Sequence, residues 1–237
     1  MSKSAIVTKV CSAVMHPEFV VEYESSIPQA DIHVLASFLE ESVKRGTRYL
    51  EGDLIAFGSV IFRVARCHDV LTLEEPNMES FPIQWDSGVT RSMRLTRLQK
   101  DIAESVGLVD EIDPPSIRSS LLVEASLMPK DEGLVLDRRN SFASDSGWFV
   151  GHRDSGPCCR DQVPTSRISI YQAILNWPKT GGFLGLPAGC RVEIGQGKLK
   201  LTRNGSPLEI KKDCLIDAVL KKWELRTGRE GLLPFEP

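Results

Sequence analysis

The sequence has no long apolar run and no recognisable export signal. No stretch approaches the roughly 18 consecutive apolar residues that a helix needs to cross a bilayer. The first thirty residues contain neither an apolar signal core nor a small-residue cleavage site, and Glu18, Glu22 and Glu24 interrupt the region where such a core would lie. We therefore expect a cytoplasmic protein that has no membrane partner.

Cysteine is sparse. Six cysteines are scattered over 237 residues, which is too few for a disulfide framework in a chain of this length. They are Cys11, Cys67, Cys158, Cys159, Cys190 and Cys214. We expect free thiols, most of them buried.

The motifs of the common enzyme classes are missing as well. The chain has no Gly-x-Ser-x-Gly elbow, no glycine-rich phosphate loop that ends in Lys-Ser/Thr, and no His-Glu-x-x-His. Gly195-Gln196-Gly197 is followed by a predicted strand, whereas a dinucleotide-binding fingerprint requires a helix at that point. These absences favour a protein that is not an enzyme, with no catalytic residues and no cofactor.

One cluster of potential ligands remains. His152, Arg153 and Asp154 are followed closely by Cys158 and Cys159. Adjacent cysteines do not easily turn both sulfurs towards one ion, and no second matched pair exists, so we expect no metal. A thiol- or metal-dependent enzyme centred on His152, Asp154 and Cys158 stays open as an alternative, because a loop cysteine near basic residues can have a lowered pKa.

Charge of one sign is not in large excess. The formal net charge is −3, but acidic residues outnumber basic ones over residues 1–110, whereas basic residues outnumber acidic ones over residues 141–237. An acidic front half binds phosphate backbones poorly, so nucleic acid is excluded as its expected partner. The same charge could steer a basic partner protein.

Ordinary globular composition is present, with 41% hydrophobic and 26% charged residues, and the patterns indicate an α+β fold of two small units. In the first unit, residues 1–110, apolar residues at helical spacing predict a helix over Gln29–Arg45 that ends at Gly46. A second helix is predicted from Ser87 to Val106. Strand-like runs are Leu54–Phe57, Val60–Val64, Val70–Leu73 and Phe81–Trp85.

The second unit, residues 111–237, follows an acidic stretch at 110–115 that ends in two prolines and is typical of a linker. We expect an exposed loop over Pro129–Ser144 and a helix over Ser169–Asn176. A final helix is predicted with Asp213 as its N-cap. Its buried stripe is predicted to consist of Leu215, Ile216, Val219, Leu220 and Trp223. Predicted strands are Ile117–Leu127, Trp148–Gly151, Arg191–Ile194, Lys198–Thr202 and Leu208–Ile210, and Asn204-Gly205 predicts a tight turn.

Three short phrases of the second unit are rich in apolar residues, and two of them also contain glycine. They are Asp145–Gly151, Arg167–Leu175 and Phe183–Gly189. With these phrases the chain resembles the bacterial polymorphic-toxin immunity proteins of the thirty-third immunity family, over about Ser119 to Ile194.

The first unit is similar to the companion domain of longer members of that family. The similarity lies in Pro82–Trp85 and in Leu98–Leu108. The resemblance implies a non-catalytic antitoxin, which binds a cognate toxin or effector protein and neutralises it by protein–protein contact. An adaptor or chaperone for toxin export, which binds its client without neutralising it, is a further alternative.

The resemblance implies that the shared motif residues serve the fold. They are Gly147, Trp148, Gly151, Tyr171, Pro187 and Gly189, and we expect Trp148 to be buried. The partner is expected to contact loops that carry arginine and aromatic side chains. The candidate partner-binding residues are Arg138, Arg139 and Phe142 in one predicted loop, and His152, Arg153, Asp154 and Arg160 in the Gly151–Pro164 loop.

Overall fold

The protein has an α+β fold in which mixed sheets pack against helices. The computed structural model describes residues 2–129, 131, 133–153, 161–195 and 198–226, with the backbone alone over 221–226. The chain divides into two compact units, Met1–Arg97 and Leu98–Pro237. In the described part of the chain, no helix is long and apolar enough to cross a membrane.

The first unit contains a six-stranded sheet and two helices, of which the second continues into the second unit. Its elements are β1 (Lys3–Val7), β2 (Phe19–Glu24), α1 (Gln29–Lys44), β3 (Leu54–Phe57), β4 (Val60–Cys67), β5 (Val70–Pro76), β6 (Trp85–Ser87) and α2 (Thr90–Ser105). The strand order is β1-β2-β5-β4-β3, and β6 pairs with β5. β2 and β5 run parallel, while the other pairs are antiparallel.

Helix α1 and the β3–β4 hairpin form where the sequence predicts them. The predicted apolar stripe of α1, which includes Ile32, Leu35 and Leu39, is buried against the sheet. Gly58, with φ 56°, turns the chain between β3 and β4 in a two-residue loop, as a tight hairpin requires.

Helix α2 begins later than the sequence predicts. It starts at Thr90, and its first free N–H groups are capped from another element: the carboxylate of Glu75 accepts bonds from Arg91 N at 3.0 Å and from Ser92 N at 2.6 Å. Ser87, the predicted cap, lies in β6 instead. Gly107, with φ 75°, follows the end of the helix as expected.

The second unit is built on a seven-stranded sheet. Its further elements are β7 (Ser120–Glu124), β8 (Leu134–Arg138), β9 (Asp145–His152), β10 (Thr165–Ser169), α3 (Ile170–Asn176), β11 (Cys190–Gly195), β12 (Lys198–Arg203), β13 (Ser206–Pro207) and α4 (Leu215–Arg226). The strand order is β10-β7-β9-β8-β11-β12-β13, with β7 and β9 parallel. Trp148, Phe149 and Phe183 are fully buried and mark the core of this unit.

Local sequence explains both ends of α3 but not the start of α4. Ser169 and Gln172 form a capping box at the start of α3, and Pro178 follows its end. For α4 the predicted cap at Asp213 is wrong, because the helix begins at Leu215 and the N–H of Asp217 bonds to the sulfur of Cys214 at 3.4 Å. The side chain of Trp223 lies outside the described residues.

The largest correction concerns the predicted loop over Pro129–Ser144. That stretch contains β8, an internal strand that pairs with both β9 and β11, and Leu134, Val135 and Leu136 are fully buried. Four other strands, β1, β2, β10 and β13, also form where no strand was predicted, and the strand predicted over Leu208–Ile210 does not form.

The stretch at 110–115 is packed rather than free. Asp113 N donates to Gly185 O at 2.9 Å within the second unit. The chain divides between the two compact units at Arg97/Leu98, inside α2, whereas the sequence pattern predicts a boundary at residue 110. Gln99 Nε2, in the second half of α2, donates to Gly181 O at 2.9 Å within the second unit.

Candidate functional site

A short hairpin between β8 and β9 presents the most exposed aromatic side chain among the described residues. Phe142 is 84% exposed. Its backbone exchanges two hydrogen bonds with Asp145, at 3.1 and 2.9 Å, and Ala143 between them has a φ of 52°. The turn is therefore tight and hydrogen-bonded, and it holds Phe142 at its tip. We call residues 139–147 the Phe142 hairpin.

The base of the Phe142 hairpin is fixed by a close backbone approach at Gly147. Arg139 N donates to Gly147 O at 3.0 Å, and Gly147 N donates to Asp145 Oδ1 at 2.8 Å. Gly147 has a φ of 78°, and a Cβ there would lie 2.2 Å from Arg139 O. Only glycine fits this position, so the first predicted phrase has a defined geometric role.

Strand β7 supports the hairpin from the side. Ser120 N donates to Ser144 O at 2.8 Å, and the hydroxyl of Ser120 donates to the same oxygen at 3.2 Å. The hairpin is thus bonded to the sheet on which it stands, which lowers the entropy that a partner would have to remove on binding.

Two partly exposed arginines belong to the Phe142 hairpin or are bonded to it. Arg139 makes a two-point ion pair with Asp161, at 3.1 and 2.8 Å, and this hydrogen bonding raises the pKa of its guanidinium. Arg167 lies in β10, and its Nη1 bonds to Asp145 Oδ2 at 3.0 Å and to Ser120 Oγ at 2.8 Å. About half of each arginine side chain remains exposed.

Arg138 does not belong to this surface. The sequence predicts an exposed loop that contains both Arg138 and Arg139, but Arg138 is the last residue of β8 and is 2% exposed. Its guanidinium pairs with the carboxylate of Asp113 at 2.8 Å and donates to the carbonyl oxygens of Asp113 and Leu186. Burial lowers its pKa, while Asp113 opposes that shift. Arg138 is an internal cation, so its assignment as a partner-binding residue is wrong.

The motif phrases meet around Arg138. Its guanidinium lies 5.5 Å from the ring of Trp148, and the indole Nε1 of Trp148 donates to Leu184 O at 3.1 Å. Gly189 N donates to Arg138 O at 2.8 Å, and Pro187 is buried beside this site. The first and third phrases therefore contact each other around Arg138, inside the second unit, at the end of the sheet that carries the Phe142 hairpin. We call Arg138, Trp148, Leu184 and Gly189 the internal frame.

The remaining motif residues also serve packing. Gly189 has a φ of 87°, and a Cβ on it would lie 2.3 Å from Asn204 Oδ1. A Cβ on Gly151 would lie 2.7 Å from the ring of Phe149. Tyr171 is 4% exposed, and burial raises the pKa of its hydroxyl.

The other predicted loop lies at the far end of β9. His152 closes that strand, and its Nδ1 is 3.9 Å from Asp131 Oδ2, while Arg153 Nη1 donates to Gly195 O at 3.1 Å. The seven residue steps from Asp145 to His152 span about 23 Å of extended chain. His152 and Arg153 are thus not on one patch with Phe142.

Residues 154–160 of that loop lie outside the described residues, and four residues that the sequence pattern singles out are among them. These four are Asp154, Cys158, Cys159 and Arg160. Within the residues that the structure does describe, no group of three or more His, Cys, Asp or Glu side chains could hold a metal ion.

Comparison with known proteins adds no relative. No protein-family model, no curated protein and no solved structure matches this chain.

Arg167 and Asp161 belong to the candidate site although they are not among the residues predicted from the sequence. Arg167 is in an edge strand that the local pattern does not predict, and Asp161 is brought to Arg139 only by the tertiary fold. The apolar–polar alternation around Ile168 was the one available signal for β10.

A cleft of about 290 Å³ lies in the first unit, at the start of α2. Both arginines that line it form ion pairs: Arg91 pairs with Asp86 at 2.5 Å, and Arg94 pairs with Glu24 at 2.7 Å. Glu75 occupies the N–H groups of the helix terminus, and burial raises its pKa. These contacts hold α2 on the sheet, so we assign the cleft a structural role.

Proposed function

We propose that the protein is a non-catalytic, cytoplasmic immunity protein that binds a cognate bacterial toxin or effector and neutralises it by protein–protein contact. The Phe142 hairpin is the proposed contact surface. The proposal extends the resemblance of the motif phrases, and the exposure of Phe142 is the observation that carries it.

Phe142 has the properties of an interface hot spot. Hot spots are enriched in aromatic and arginine side chains that a partner can desolvate completely. A side chain that is 84% exposed on a hydrogen-bonded turn offers nearly all of its apolar area to a partner. Arg139, at the start of the hairpin, and Arg167, which is bonded to Asp145 of the hairpin, supply charged groups for the polar rim.

The internal frame supports the proposal in a second way. The buried phrases around Arg138 and Trp148 fix the sheet, while the residues at the hairpin tip make no contribution to the core. Such a division allows the tip to change with the partner without loss of the fold.

The direct experiment is co-expression with the toxin encoded by the neighbouring gene. We expect rescue of growth and a complex that survives purification. Phe142→Ala should weaken that complex by about 2 kcal/mol, which is about 30-fold in Kd. The thermal midpoint of the isolated variant should stay unchanged, because the side chain is exposed.

Met128→Ala is the matched control. Met128 is 64% exposed and lies beyond the opposite end of β7, so its truncation should leave the Kd unchanged. Absence of both a complex and rescue would defeat the proposal. A complex without rescue would favour the adaptor or chaperone alternative.

Another variant distinguishes the enzyme alternative from action by protein–protein contact. Cys158→Ala should leave rescue intact if the protein acts by contact, and the purified protein should contain no stoichiometric metal. Loss of rescue with an unchanged complex would favour a thiol-dependent enzyme.

A further inference from the structure

Strand β3 is an edge strand that lacks the usual protection against pairing. Natural edge strands carry lysine or another charge, proline or a bulge, which discourages the addition of a further strand. Among the edge strands described, β1 begins with Lys3, β6 contains Asp86, β10 contains Arg167 and β13 contains Pro207. The four residues of β3 are Leu-Ile-Ala-Phe and carry none of these features.

Two residues of β3 have backbone N–H and C=O groups that do not bond to β4. Val64 N donates to Asp53 O at 2.8 Å, while the bond to Val64 O comes from Gly52 N at 2.8 Å, so Asp53 lies at a position that faces β4. Because such positions alternate along an antiparallel ladder, Ile55 and Phe57 face β4, whereas Leu54 and Ala56 direct their N–H and C=O groups outward. Those outward groups have no partner among the described residues.

An apolar surface lies beside this edge. The rings of Phe57 in β3 and Phe38 in α1 meet at 5.3 Å, and Phe38 remains 37% exposed. Val34, one turn before Phe38 on the same face of α1, is 59% exposed. Leu54 is 44% exposed on the other face of β3. A strand that paired with β3 would find apolar surface for its side chains on both faces.

The charge near the start of β3 is negative. Glu51 and Asp53 are exposed, and neither carboxylate has an ion-pair partner in the part of the chain that the structure describes. Acidic residues also outnumber basic ones over Met1–Arg97. This charge repels a second copy of the same edge and attracts a basic segment.

We propose that β3 is a strand-addition site for an extended apolar segment of another protein, with basic residues at the end that lies next to Glu51 and Asp53. Main-chain bonds to Leu54 and Ala56 supply the pairing, and the surface of Phe38 and Val34 receives alternate side chains. The inference concerns a surface separate from the Phe142 hairpin and does not depend on the proposed function.

Three capped heptapeptides test the site on the full chain. The first alternates valine and threonine and ends in two lysines, the second ends in two glutamates, and the third is the lysine peptide N-methylated along its extended part. We expect the lysine peptide to bind, the glutamate peptide to bind about tenfold more weakly, and the methylated peptide not to bind. Anisotropy of labelled peptides measures each Kd.

Hydrogen exchange locates the binding on the wild-type protein. The amides of Leu54 and Ala56 should exchange more slowly with the lysine peptide present, while those of Lys3 and Ala5 on the opposite edge should not change. Unchanged exchange of Leu54 and Ala56 at millimolar peptide would overturn the proposal.

Ala56→Pro removes one outward donor without removing a bond to β4, so the fold should persist and binding of the lysine peptide should fall about tenfold. Ala5→Pro makes the same change on the edge of β1 and should leave binding intact. Val34→Ser, at a surface position of α1, should weaken binding even if Ala56→Pro does not fold. Equal binding of the lysine peptide by wild type and Val34→Ser would overturn the proposal. So would self-association of the wild-type chain in sedimentation that Ala56→Pro abolishes, because a second copy of the chain would then occupy the edge of β3.

Discussion

Arg138 and Arg139 are consecutive and chemically identical, yet they have opposite roles. Alternation at the end of β8 turns the first into the core and the second to the surface. Arg138 is compensated by the carboxylate of Asp113 and by carbonyl oxygens, as a buried cation requires. Arg139 forms an exposed ion pair with Asp161, a type of contact that stabilises folded proteins little.

This difference gives a matched pair of substitutions. Arg138→Ala should lower the free energy of unfolding by about 3–5 kcal/mol, because it leaves Asp113 and several carbonyl groups without their donor. Arg139→Ala should cost about 0.5 kcal/mol. Urea denaturation of the full chain measures both, and equal effects of the two substitutions would contradict the assignment of Arg138 as an internal cation.

Gly147 offers a second test at the residue scale. Gly147→Ala should destabilise the protein by about 3 kcal/mol or more, because the new Cβ would lie 2.2 Å from Arg139 O and the φ is positive. Gly205→Ala is the control: φ is 83° there, but nothing lies within 4 Å of the new Cβ. That substitution should cost about 1 kcal/mol. The two costs, read from thermal unfolding, should therefore differ clearly, and equal costs would show that the hairpin base relaxes.

At the scale of elements, the sequence predicts best where periodicity and turn residues coincide. Helix α1 and strand β3 are recovered with their bounds because an apolar stripe or a short apolar run is closed by glycine. Strand β8 is missed because its buried run is short and lies between charged stretches, which is also typical of an exposed loop. The start of α2 is set by Glu75, a contact between distant elements that no local pattern contains.

The residues of the candidate site could likewise be predicted only in part from the sequence. Phe142 and Arg139 could be chosen from the sequence because aromatic and arginine residues occur together in a polar stretch. Their grouping with Arg138 and His152 could not be tested without the strand directions, which bury the first and place the second at the opposite end of β9.

The turn between β1 and β2 gives a prediction with a pH dependence. Burial favours the neutral form of Glu18, but the hydroxyl of Thr8 at 2.6 Å and the N–H groups of Ser12 and Cys11 outweigh it and lower the pKa to about 2. A lowered pKa in the folded state means stability that is complete above the ordinary value of 4.5 and is lost as the pH falls towards 2.

Glu18→Gln should therefore destabilise the protein by about 1 kcal/mol at pH 7, after allowance for solvent screening at this partly exposed site. The difference from wild type should shrink between pH 4.5 and pH 2. Thermal unfolding across that range measures it, with Glu51→Gln as a control at an exposed carboxylate. A difference that stays constant with pH would mean that the charge of Glu18 does not hold this turn.

At the scale of the whole molecule, the most informative contacts are those of the second half of α2. Ile102 and Ala103 are fully buried, and a Cβ on Gly182 would lie 2.8 Å from Ile102 Cδ1. Gln99 is 2% exposed and bonds to Gly181 O. These residues complete the core of the second unit although they precede the stretch at 110–115, which the sequence pattern favours as the boundary.

The position of the boundary can be tested with two fragments. A fragment of residues 90–237 keeps α2 and should unfold cooperatively with a well-dispersed amide spectrum. A fragment of residues 111–237 lacks the groups that cover Gly181 and Gly182, so it exposes apolar surface there and should show reduced dispersion and faster proteolysis. If residues 111–237 alone unfold as cooperatively as the longer fragment, α2 is dispensable for the second unit. The boundary at residue 110 would then describe the folding unit better than the division at Arg97/Leu98.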